Sequence, residues 1–319
     1  MLYTAGLDLG EKYIKLCIRE NNKVKKIELA ERPSNEDDLI FLLQEWVKNY
    51  NLKKSKVFSS ISGPEINIQY FNFPALSSKD LALAVKSEAT QILDTEWEEM
   101  DSDFFVLDET AKTKKVLFTA CPKRITDEKV AFFKKIGLNI SGLTLNSIAL
   151  ANSYLATTTE SVPVLILNIG SKITNLAIVA NKKLIFIRDI SWGSEKIISE
   201  LEEKTEFDHS TVIDLLEKKD VFSEPKFSGI VESVFSSLVT EVRKTKEYCE
   251  KVEKKIQIKR LIVSGGGSQI PHLSEFLSEN LSLDLQVWEF LKEHNFSIAE
   301  KEKLSPFSAI AFGLSLESI

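Results

Sequence analysis

Two short stretches carry residue types at a spacing suited to holding an anion. The first is Gly6-Leu7-Asp8-Leu9-Gly10-Glu11-Lys12-Tyr13-Ile14-Lys15; the second is Ile166-Leu167-Asn168-Ile169-Gly170-Ser171-Lys172. In each, an apolar run ends at a glycine, where a residue without Cβ can take positive φ in a tight turn. Backbone N–H groups around such a turn converge into a concavity for negative charge. Lys12 and Lys15 add positive charge in the first stretch, as Ser171 and Lys172 add a hydroxyl and an ammonium in the second. Asp8 offers an oxygen ligand for Mg²⁺, directly or through water. The two stretches are also copies of one pattern. Gly10 matches Gly170, Lys12 matches Lys172, Leu16 matches Leu176 and Ile18 matches Ile178, all at the separation of Asp8 from Asn168. The echo continues without a gap through Asn21 and Asn181, Lys23 and Lys183, Ile27 and Ile187.

A third stretch, Leu261-Ile262-Val263-Ser264-Gly265-Gly266-Gly267-Ser268, precedes Pro271 and the helical spacing of Leu273, Phe276, Leu277 and Leu281. This order predicts strand, glycine loop and helix. Backbone can approach a ligand closely over Gly265, Gly266 and Gly267, and a following helix N-terminus favours negative charge. The run lacks the spacing of a dinucleotide fingerprint, and the chain has no Walker A loop.

The elements that must position these residues follow from periodicity. Each copy reads as three short strands joined by two turns, with Ile14, Leu16 and Ile18 on one face of the second strand and a turn at Asn21-Asn22. A two-fold repeat at so long a period predicts two similar domains rather than a solenoid. Helices are expected over 36–48, 78–93, 126–136, 147–154, 194–204, 210–219 and 229–254, with a small-residue helix over 305–316. Strands are expected over 56–62, 67–74 and 115–120, and the acidic stretch 96–103 as a solvated loop. Strands and helices alternate in both halves, so the class is α/β. The expected domains are 1–158, interrupted by an inserted mixed piece at about 64–141; 159–304, with a helical part at about 192–254; and 305–319, a terminal helix returning to the first domain.

Composition limits the function. The 319 residues are 43% hydrophobic and 28% charged, as in a globular protein. The net charge of -6 argues against a general nucleic-acid binder. No apolar stretch approaches the length of a membrane span, and neither end reads as a signal peptide or an amphipathic anchor, so a cytoplasmic protein without direct membrane insertion is expected. Cys17, Cys121 and Cys249 are far apart and form no disulfide framework or zinc motif.

Taken together, the Asp-x-Gly hairpin, its second copy and the strand–Gly-Gly-Gly–helix resemble the actin, Hsp70 and hexokinase superfamily, where these elements are two phosphate loops and an adenosine loop. Within it the chain looks most like the PilM family of type IV pilus assembly. Four stretches carry this: Gly6 to Gly10 with Lys15; Phe73-Pro74-Ala75-Leu76 leading into Ala84 to Ala89; Leu261 to Gly267 with Pro271 and Leu273; and Ala309 to Leu314. The resemblance implies a two-domain, ribonuclease H-like actin fold whose insertion is of the FtsA and PilM type. It implies ATP or ADP with Mg²⁺ as the cofactor, with Asp8 toward the metal. It also implies binding of the cytoplasmic tail of a PilN-like membrane protein near Phe71, Phe73, Val85 and Glu88, with pilus motor and platform proteins as further partners. The location implied is peripheral to the inner membrane.

The chain departs from the superfamily pattern at three places. Asn168 stands where the second loop carries an aspartate, Glu11 where the first carries a small hydroxyl residue, and Asn146 where relatives carry an acidic water-positioning residue. An amide cannot offset Mg²⁺ charge or take a proton from water. A scaffold with weak or no hydrolysis is therefore expected. The alternatives are an active actin- or Hsp70-like ATPase, an FtsA-like division protein, or a component of a related type II secretion system such as the cytoplasmic domain of a GspL-type protein.

Overall fold

The computed structural model describes residues 3–21, 23–218, 224–253, 256–286, 288, 290–291 and 296–316. The first hairpin unit folds as β1 (Tyr3–Leu9), β2 (Tyr13–Glu20) and β3 (Lys23–Glu31). After α1 (Glu36–Asn49), β4 (Lys56–Ile61) joins β1 in parallel. The chain then leaves this sheet to build β5 (Asn67–Pro74), α2 (Ser78–Ile92), β6 (Met100–Glu109) and β7 (Thr113–Pro122). It returns through α3 (Lys123–Lys135), β8 (Gly142–Leu145) and α4 (Asn146–Thr157). The second unit repeats the scheme with β9 (Val164–Ile169), β10 (Thr174–Ala180) and β11 (Lys183–Ile190). Helices α5 (Ser194–Thr205), α6 (His209–Lys218) and α7 (Pro225–Val252) follow, then β12 (Arg260–Ser264), α8 (Leu273–Leu281), β13 (Asp284–Leu285) and α9 (Ile298–Leu314).

The duplication seen in the sequence is a duplication of register. The two large sheets have matching orders, β3-β2-β1-β4-β8 and β11-β10-β9-β12-β13. Asp8 lies opposite Lys15 in one hairpin and Asn168 opposite Asn175 in the other. Even the bulges correspond, between Ile18 and Arg19 and between Ile178 and Val179. Asn21 and Asn181 both take the left-handed region in the second turn, which asparagine tolerates. The predicted partner of Asn21, Asn22, lies outside the described residues.

Between the two large sheets, α4 and α9 form a shared layer. Ala149, Leu150, Ala309 and Ile310 pack there with Cys17 of the first sheet and Ile166, Ala177 and Ile262 of the second. The approach is so close that a Cβ on Gly313 would lie 1.8 Å from the Ala149 carbonyl oxygen. The outer face of the first sheet is covered by α1 and by α3, whose Phe133 is buried with Leu39, Leu43 and Trp46. The outer face of the second sheet is covered by α5 to α8. A third sheet, β5-β7-β6, packs against α2 through Phe73, Leu81, Val85 and Phe118.

Four expectations change. Part of the acidic stretch is strand: β6 begins at Met100, so 100–103 pair with β7 instead of forming a loop. The four-residue strand β8 has no counterpart in the sequence reading. Helix α7 starts at Pro225, with proline at its first turn, and Lys254 and Lys219 lie outside the described residues. Helix α9 starts at Ile298 instead of 305, set by a capping box of Ser297 and Glu300; residues 317–319 lie outside the described residues.

Candidate functional site

The loop ends of the two large sheets face each other across a cavity of about 1050 Å³. It is lined by Asp8, Gly10, Lys12 and Lys15 from the first hairpin, Asn168, Gly170, Ser171 and Lys172 from the second, and Gly266 and Gly267 from the glycine run. Three stretches far apart in sequence thus converge on one space. Gly265 stands behind it as a corner. Its φ is +88°, its N–H donates to the Pro306 carbonyl at 2.6 Å, and a Cβ there would lie 2.3 Å from the Ile169 carbonyl oxygen.

The hairpin glycines are needed for another reason than positive φ, which neither adopts. A Cβ on Gly10 would meet the Tyr13 carbonyl oxygen at 2.7 Å, and one on Gly170 the Ile173 carbonyl oxygen at 2.8 Å. The glycine run also differs from expectation. A tight 3₁₀ turn, Gly266–Gln269, takes in Gly266 and Gly267 and comes before α8, whose first residues are not among those lining the cavity.

Charge in the cavity is largely paired internally. Asp8 accepts from Lys15 Nζ at 3.0 Å, with both side chains mostly buried. A Mg²⁺ ion at Asp8 would share its carboxylate with that ammonium. Among the described residues no group of three or more His, Cys, Asp or Glu side chains could hold a metal. Glu11 accepts from Lys172 Nζ at 2.9 Å, tying the first loop to the second. That contact, with Arg32 and Lys129 nearby, holds the Glu11 carboxyl below its usual range. Arg32 donates from Nη1 to the Gly10 carbonyl at 3.1 Å, bracing the first turn.

The two positions where an acid is missing prove to be connected. Asn146 Nδ2 and Asn168 Nδ2 each donate to Asn175 Oδ1 at 3.3 Å. Asn175 Nδ2 in turn donates to Asp189 Oδ1 at 2.8 Å. Asp189 Oδ2 accepts from the Gly63 N–H at 3.3 Å, across the space between the sheets. Burial pushes the Asp189 carboxyl up, partly offset by the donors Asn175 and Gly63. The sequence reading missed Asp189, Asn175, Arg32 and Lys129. Asp189 could have been found as the residue of the third strand that falls opposite Asn175.

The cavity also has an apolar lining, Ile198, Ile213, Leu216 and Ile270. Such a lining offers apolar surface to a flat ring, and backbone N–H groups and lysines to an anion.

A second groove, of about 620 Å³, lies between the third sheet and the first. Its walls are the outermost strands β6 and β8: residues 101–105 of one and 142–145 of the other line it. Ile61, Leu117, Ile148 and Leu314 make an apolar floor. Of the partner-binding candidates, Phe73 and Val85 are buried in the core under α2, Phe71 is half-buried beside Phe73, and Glu88 is exposed on α2. None of the four lines the groove.

The two matched sheets around a shared helical layer and a cleft define the actin-like ATPase fold. Within it, the chain belongs to the type IV pilus assembly protein PilM family, whose sequence model matches residues 11–319. A solved PilM-PilN type IV pilus biogenesis complex superposes with a TM-score of 0.84 at 18% identity, covering 98% of this chain and 97% of that one. The ethanolamine utilization protein EutJ from Carboxydothermus hydrogenoformans gives 0.55 at 14% identity, covering 100% and 90%. MreB 5 of Spiroplasma citri, bound to AMPPNP, gives 0.53 at 10% identity, covering 98% and 95%. At these identities the structures share the fold with this chain.

Proposed function

We propose that this protein is a nucleotide-binding adaptor of the pilus assembly machinery, with weak or no hydrolysis, that holds an extended tail of a PilN-like membrane protein. The observation that carries the reading is the groove between two strand edges that have no neighbouring strand among the described residues. A strand edge presents N–H and C=O groups that an extended peptide can pair with, and side-chain pockets then select its sequence. Here the apolar floor supplies the pockets, Phe105 stands half-exposed at the wall, and Asp101 and Asp103 make the rim acidic. Such a rim favours a tail with apolar anchors and basic residues.

In this reading residues 1–158, with the insertion at 64–141, and 159–304, with its helical part at 192–254, close around ATP or ADP, and 305–319 ties them together. The base takes the apolar lining; Gly10, Gly170, Ser171, Lys12 and Lys172 take the phosphates, with Gly266 and Gly267 against the ribose. Bound Mg²⁺ would neutralise phosphate charge beside Asp8. Turnover is weak because Asn146 and Asn168 present N–H donors, while Asp189 is occupied by two donors of its own. Among the described residues no helix is long and apolar enough to cross a membrane, so the adaptor reaches the inner membrane through its partner.

The test is hydrogen exchange with a synthetic PilN-type N-terminal peptide. Protection is expected in β6 and β8, with α2 unchanged. Binding without protection of either strand, or no binding at high peptide concentration, rejects the groove as the docking site.

A further inference from the structure

Besides Arg32, which follows β3, one cation lining the cleft comes from neither hairpin nor the glycine run. Lys129 lies on α3 and lines the cleft with Ile125, Glu128 and Phe132 of that helix, a spacing that puts the four on one helical face. Phe133, the next residue, anchors the helix in the outer core of the first sheet, so the position of Lys129 is held by packing.

The residue as a whole is half-buried, and burial of its ammonium lowers its pKa from the ordinary lysine value. Asp8 and Glu11 favour its charge while Arg32 opposes it, so it stands at the end of the cleft where the two hairpin loops meet. Both of those carboxylates already have closer partners, Lys15 and Lys172. Lys129 itself makes no hydrogen bond or ion pair with the described residues. A partly desolvated cation without a counter-ion costs stability, and a bound anion removes that cost. Lysine suits phosphate as a compact point charge.

Position selects the phosphate. The apolar lining of Ile198, Ile213 and Leu216 comes from α5 and α6, which cover the second sheet, whereas Lys129 comes from α3 on the first sheet, and the glycine turns of both hairpins line the same cavity. Lys129 stands near Asp8 and Glu11 of the first hairpin loop, and Glu11 in turn pairs with Lys172 of the second. Resting on the nucleotide reading above, we propose that Lys129 binds the terminal phosphate of a nucleoside triphosphate, so that α3 distinguishes triphosphate from diphosphate.

The experiment is titration of the full-length protein with ATP and with ADP, both with Mg²⁺, for the wild type, Lys129→Gln and Lys129→Arg. Lys129→Gln is expected to weaken ATP by about tenfold or more, the loss of one hydrogen bond to a charged group, with ADP within about twofold. Lys129→Arg keeps the charge and should recover most of the ATP affinity. Thermal midpoints at or above wild type for Lys129→Gln would show that the fold is intact. Equal weakening of both nucleotides, or no change in either, overturns the assignment while leaving nucleotide binding in place. Failure of the wild type to bind either nucleotide overturns the nucleotide reading itself, and this proposal with it.

Discussion

Asp189 is the residue through which the missing acids are best understood. A carboxylate at Asn168 or Asn146 would face the Asn175 amide oxygen with no proton to donate. As amides, both can donate to that oxygen, and the negative charge resides one strand further away. Asp189 is held there by Asn175 and by the Gly63 N–H, which lies just after β4 of the other sheet. Because burial raises its pKa, the folded protein binds this proton more tightly than the unfolded chain does. The sign then follows: stability from this group is fully present at low pH and is lost as pH rises from about 4, the ordinary aspartate value, through the raised folded value. Thermal midpoints of the wild type and Asp189→Asn should therefore show a difference, wild type minus variant, that declines with rising pH. Parallel profiles would mean that Asp189 titrates as in the unfolded chain. Asp189→Ala, which strips the acceptor from two donors, is expected to cost about 1–3 kcal/mol per orphaned donor.

Elements differ in how plainly the chain declares them. The hairpin units were legible because each is a local device: a glycine at a crowded turn, alternating apolar residues, asparagine at the second turn. Their equivalence was legible because it is written twice. What escaped was set by tertiary partners. Strand β6 begins Met-Asp-Ser-Asp, a polar start at the outermost position of its sheet, where exposed charged side chains hide the alternation that marks a strand. Strand β8 is too short to show a period. Of the residues named for a phosphate site, all but Gly265 line the cleft, yet Lys129 was invisible, since a lysine on an amphipathic helix reads as solvated until the helix is docked. Small residues in α9, by contrast, announced close packing. At Gly313 an added methyl would drive into the Ala149 carbonyl. Gly313→Ala should cost about 1–3 kcal/mol, as overpacking of a tight core does. The urea midpoint reads it. Gly229→Ala is the control, because nothing lies within 4 Å of a Cβ there and it sits inside α7. It should stabilise by up to about 1 kcal/mol through helix propensity alone. Equal midpoints for the two variants would contradict the close crossing of α4 and α9.

At the scale of the whole molecule, the two cavities share one wall. Helix α3 turns Lys129 toward the cleft and Thr126, one turn earlier, toward the groove. The Thr126 hydroxyl donates to Asp101 of β6, and Arg124 pairs with Glu65 on the segment leading into β5. A peptide that pairs with β6 therefore pulls on the first turn of the helix whose next turn carries the phosphate-binding lysine. Rigid elements with contacts at both ends transmit a displacement, and the resulting coupling must be reciprocal. Saturating ATP is expected to change peptide affinity by about fivefold or more, the lower end of typical coupling, and saturating peptide should change ATP affinity by the same factor. ADP, which does not reach Lys129, should couple less. In Lys129→Gln the ATP effect should fall to the ADP level while peptide binding in the absence of nucleotide stays as in the wild type. Isothermal titration of each ligand in the presence and absence of the other measures all four corners of this cycle. Peptide affinity that is the same with ATP, with ADP and with neither would show that α3 only separates the two cavities and does not connect them.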